Sequence, residues 1–120
     1  MRFLMLQMGD GSGGGRPTGP FAEALLRYEQ DLRTAGVVLA SESLHPSRTA
    51  TSIRFGEGDP AVLAGRSGAT GLEVRGFRIL ELRSAEDAVA WGRLCPLDLS
   101  LATGELAGIE IHEIDDGPPW

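Results

Sequence analysis

The stretch Val74 to Pro96 (VRGFRILELRSAEDAVAWGRLCP) changes hydrophobic period partway along. Val74, Gly76, Arg78, Leu80 and Leu82 alternate with Arg75, Phe77, Ile79 and Glu81. From Ser84 the spacing becomes helical, so a strand should feed directly into a helix. Ser84-Ala85-Glu86-Asp87 fits a capping box: the serine hydroxyl can accept the backbone N–H three residues on, and Asp87 can reach back. The helix should end near Leu94, because Pro96 cannot donate an N–H and disfavours helical geometry at Cys95.

Met1 to Met8 places Phe3 and Met5 on one alternating face and Leu4, Leu6 and Met8 on the other. Such a strand should be central and covered on both sides. Phe21, Leu25, Tyr28, Leu32 and Ala35 then fall at spacings of four and three, one apolar stripe along a helix that Gly36 should close in a left-handed C-cap. Val37 to Ala40 and Thr49 to Phe55 read as two strands joined through Ser43-Leu44-His45-Pro46. Gly56 to Pro60 is a turn, Ala61 to Ala64 a brief returning strand, and Leu106 to Ile114 the last strand.

The order is strand, helix, two or three strands, helix, strand. This predicts an α+β fold, a ferredoxin-like split β-α-β sandwich with two helices on one face of an antiparallel sheet. Residues 1–114 form one domain and 115–120 a C-terminal tail. Two helices cover one face only, and an apolar second face predicts a homodimer pairing sheet against sheet.

A length of 120 residues is one domain with room for a core. A net charge of −6 and a pI near 4.8 oppose direct nucleic-acid binding, which needs clustered cations. Every basic residue is arginine, scattered singly along the chain. Cys95 is the only cysteine, so no intramolecular disulfide can form. Its position reads as a small apolar residue near a helix end. The N-terminal apolar run is too short for a signal peptide or a membrane span, so a cytoplasmic location is expected, without membrane attachment. The loop Gly9 to Gly15 lacks the Gly-Lys-Ser/Thr of a phosphate cradle, so no nucleotide is expected.

Candidate chemistry is sparse. His112 lies two residues from Glu110 on one strand face, and His45 precedes a proline in a loop. A histidine beside a carboxylate can serve as general base. Asp10, at the end of the first strand, could close over a pocket or shape a turn. Two distant histidines and one cysteine supply no metal site, and no cofactor is implied.

The segments RFLMLQMGD, Leu32 to Gly36, SLHPSRTATSIRF, GFRILELRSAEDAVAWGRLCP and GIEIHEI together cover most of the chain. In them the chain resembles the YCII-related family, in the branch named for its DGPF motif. The strand-plus-helix segment with Asp87-Ala88-Val89-Ala90-Trp91 and the following proline is the most specific piece. The resemblance implies a dimeric α/β-barrel-like assembly whose sheets enclose a small pocket. It also implies a link to sigma-factor systems, since some members are encoded or fused with extracytoplasmic-function sigma factors. Where the family shows Asp-Gly-Pro-Phe-Ala-Glu-Thr-Lys-Glu, this chain reads Ala64 to Leu72 (AGRSGATGL), keeping only Gly65 and Thr70. The acidic groups of that motif are gone, as is the first-helix histidine of the enzyme-like branch. The expectation is therefore a dimer binding a small molecule or a partner protein in an inter-subunit pocket. Arg66 offers a planar fork for a carboxylate, with Asp10 and His45 nearby in the pocket. The alternative is hydrolase- or lyase-like acid/base chemistry using His45 or His112 with Asp10 or Glu110.

Overall fold

A computed structural model describes residues 1–10, 16–45, 50–65, 71–101 and 104–118. The glycine-rich loop after the first strand, Arg66 and Trp120 lie outside the described residues. Strand β1 spans Arg2–Gly9 and helix α1 Gly19–Thr34. Strands β2 (Val38–Ser43), β3 (Thr51–Arg54), β4 (Ala61–Ala64) and β5 (Glu73–Glu81) follow. Helix α2 (Ala85–Leu94), the single turn α3 (Asp98–Leu101) and strand β6 (Ala107–Glu113) complete the chain.

The main sheet is antiparallel throughout, in the order β2-β5-β1-β6. Each of the units β1-α1-β2 and β5-α2-β6 therefore straddles a strand of the other. That interleaving is compatible with a ferredoxin-like fold. Both helices pack on one face. Phe3 and Met5 of β1, Leu80 of β5 and Leu82 just beyond it, Tyr28 and Leu32 of α1, and Ala88 of α2 form one buried cluster with Cys95. Tyr28 meets Trp91 edge to face, with ring centroids 6.3 Å apart, which ties the two helices together.

The boundaries follow local chemistry. The Ser84 hydroxyl accepts the Asp87 N–H at 3.1 Å, and Glu86 and Asp87 sit in the first turn, where the helix dipole favours anions. Gly36 follows the last turn of α1 at φ +72°, the left-handed cap its position predicts. Ser84→Ala should lower the denaturant midpoint by a stability loss of about 0.5–2 kcal/mol. An unchanged midpoint would show that the hydroxyl does not hold this helix.

The strands flanking Ser43 to Pro46 both form, but they belong to different sheets. β2 pairs with β5, whereas β3 pairs with β4 in a separate two-stranded hairpin. The turn through Gly58, at φ +85°, gives β3 a partner close in sequence. Val38 instead packs against the core beside Leu80. The hairpin leaves Ile53, Phe55 and Val62 exposed.

The sheet's second face carries Leu4, Leu6 and Met8 of β1 with Phe77 and Ile79 of β5, and none of these is fully buried. β1 is central as expected, yet only its Phe3 and Met5 side lies under the helices. The start of the tail is pinned, with Arg2 donating to Asp116 at 2.8 and 3.0 Å. No described helix is long and apolar enough to cross a membrane.

Candidate functional site

Two β-bulges set the geometry of the helix-covered face. Between Val38 and Ala40 the register of β2 against β5 shifts by one residue, so that Ser41 comes to lie opposite Arg78. A one-residue slip in a strand exchanges its faces, and the bulge therefore decides that Ser41 rather than a neighbour joins Arg78. Between Gln7 and Met8 a second bulge leaves Arg75 as the extra residue of β5. Gly76 sits opposite Gln7, and a Cβ there would come 2.9 Å from the Glu42 carbonyl oxygen. Only glycine lets β2 approach this closely.

These residues floor a cleft of about 1030 Å³. It is also lined by Phe21, Leu25 and Glu29 of α1, by Leu97 and Ser100 at α3, and by Glu105. Arg78 lies at its base, only 6% exposed on a face otherwise occupied by Leu80 and Leu82. A guanidinium so buried must be paired. Its Nε donates to Glu29, its Nη1 donates to Gln7 Oε1 at 3.1 Å, and its carbon lies 5.1 Å from the Tyr28 ring centroid. Ser41 Oγ donates to the same Glu29 oxygen at 2.9 Å. Tyr28 donates its own proton to the Trp91 carbonyl at 2.6 Å. Three strands and one helix thus fix one guanidinium. At the cleft's outer end Arg75 bridges Glu73 and Glu105 at 3.8 and 4.0 Å.

Cys95 sits at the edge of this network, 7% exposed. Burial pushes its thiol up to about 11; the nearby Arg78 pulls it down and Glu29 raises it. Burial also raises the Tyr28 phenol. Both groups therefore favour the folded state while neutral. That contribution is intact below the ordinary thiol value of 9.0 and falls as pH rises towards about 11. Cys95 should react slowly with a thiol reagent at neutral pH in the native protein and fast in denaturant. Equal rates in both states would contradict its burial.

The residues singled out from sequence are distributed differently. His112 and Glu110 do form a pair, with Nε2 and Oε1 2.5 Å apart, but both are more than half exposed. They lie opposite Leu4 and Leu6, on the sheet face away from the cleft. Asp10 Oδ2 accepts the Leu106 N–H at 2.9 Å, and its own N–H donates to the Leu106 carbonyl at 3.0 Å. It thereby fastens the end of β1 to the approach to β6. His45 is exposed and lines the cleft. Among the described residues, no three His, Cys, Asp or Glu side chains are grouped to hold a metal ion.

Arg78, Glu29, Gln7 and Ser41 were not singled out by motif. One signal was available: Arg78 shares an alternating face with Leu80 and Leu82, which places a cation on the buried side. No family model matches the chain, and none of the curated proteins matches it.

Proposed function

We propose that the chain is a small-ligand-binding domain of the YCII-related type, without catalysis, whose site is the cleft between α1 and the sheet. The observation that carries this reading is the cleft of about 1030 Å³ built over a paired, nearly buried arginine. Cavities with apolar walls and a few convergent polar groups are the usual form of small-molecule sites. The ordered floor supports binding, because Arg78 is held from three directions before any ligand arrives and little side-chain entropy remains to be lost. This placement differs from the inter-subunit pocket implied by the family resemblance: the ligand lies within one chain. The open face with Leu4, Leu6, Phe77 and Ile79 is then the homodimer surface, since an apolar face of this kind gains by being covered.

A fragment screen followed by amide and side-chain NMR mapping tests the reading. Bound fragments should shift Gln7, Ser41, Arg78 and Leu97. Fragments that instead shift only Leu4, Leu6 and Ile79 would overturn the cleft assignment and favour a pocket between sheets.

A further inference from the structure

Arg78 carries five N–H donors in a rigid plane. Its Nε and Nη1 are used by Glu29 and Gln7, while Nη2 makes no hydrogen bond to any described residue. Yet among the described residues no side-chain nitrogen is both sealed from solvent and unpartnered. Nη2 is therefore not sealed from solvent, and Arg78 is one of the residues that line the cavity. This donor, on a side chain 6% exposed, meets no acceptor among the described residues.

The wall beside it has a direction. Phe21, Leu25 and Glu29 are four residues apart along α1, so they form one stripe facing the cleft. At 1.5 Å per residue the apolar part runs for about 12 Å before reaching the Glu29–Arg78 pair. Leu97 also lines the cleft. An apolar strip in a cleft of mixed lining thus leads to a fixed cationic donor.

Resting on the cleft being a binding site, we propose that its ligand is a small carboxylic acid with an apolar body. The carboxylate takes Nη2 of Arg78, and the body lies between Leu25 and Leu97. A carboxylate rather than a phosphate fits the charge. Glu29 already offsets the Arg78 guanidinium, so a carboxylate adds one further negative charge at the site and a phosphate dianion adds two, at a greater desolvation cost for the same donor. The exposed Arg16 and Arg33 also line the cleft and can offset the single charge of a carboxylate.

Titration of isotope-labelled protein with octanoate, octanol, octylamine and inorganic phosphate tests the assignment. Octanoate should bind at least tenfold tighter than octylamine and shift Gln7, Ser41 and the Arg78 side-chain resonance, and phosphate should not displace it. The double variant Arg78→Met with Glu29→Gln removes both charges without leaving one buried alone. It should keep the fold and octanol binding but lose at least tenfold in octanoate affinity. Equal affinity for the three alkyl probes at the cleft, or displacement by phosphate, would overturn the carboxylate while leaving the cleft as a site. Shifts confined to the Leu4 and Ile79 face, or none in the cleft with any probe, would overturn the cleft and the carboxylate together. An unaltered octanoate affinity in a folded double variant would overturn the role of Arg78.

Discussion

Glu29→Ala is expected to cost about 3 kcal/mol of stability, because it strips the Arg78 guanidinium of its carboxylate while leaving the cation in place. The Arg78 side chain keeps only 7% of its exposure and Glu29 keeps 22%, so solvent can relieve the orphaned charge only in part. Ser41 loses its acceptor in the same step. Adding Arg78→Met should restore most of the loss, since an apolar side chain can replace a paired charge at little net cost. Denaturant unfolding of the two single variants and the double variant measures this directly. A Glu29→Ala protein within 0.5 kcal/mol of the parent, roughly the scatter of ordinary surface substitutions, would mean that the pair does not organise the cleft.

Neighbouring positions on β1 should behave in opposite ways. Phe3 is 1% exposed and lies opposite Leu80 under the helices, so Phe3→Ala should cost about 3–5 kcal/mol through lost burial and the cavity left behind. Leu6 points to the open face and is only partly buried within one chain. Leu6→Glu should therefore leave the chain folded yet shift light scattering from dimer to monomer, because pairing would bury an uncompensated carboxylate. Equal destabilisation by both changes would show that Leu6 belongs to the chain's own core. A monomeric parent would remove the proposed dimer.

The strands and helices were legible because each carries a period of its own. The change of period at Ser84, the stripe from Phe21 to Leu32 and the alternation of β1 are local signals, and the structure keeps them. Pairing partners were less legible, since the segments around Thr51 and Val38 look alike as short strands. What separates them is the turn that gives β3 to β4 and the core contact that gives β2 to β5. The turn α3 has only four residues, too few to show a helical period. The cleft was hidden for a different reason. Its polar residues come from four elements, Gln7, Glu29, Ser41 and Arg78, and two bulges bring them into register. A bulge leaves no alternation to read. The histidines drew attention through their chemistry, yet His112 and Glu110 lie on the other face, and Asp10 uses its carboxylate and its backbone N–H to hold Leu106.

The central claim is that Arg78 presents a prepared acceptor site to a small acid in the α1 cleft. A crystal structure with octanoate at saturating concentration tests it most directly. The carboxylate is expected within hydrogen-bond distance of Arg78 Nη2, with Glu29 still on Nε and the alkyl chain running between Leu25 and Leu97. A carboxylate bound instead to the exposed Arg16 or Arg33 at the rim with Arg78 untouched, or a ligand seated on the Leu4 and Ile79 face, would contradict it.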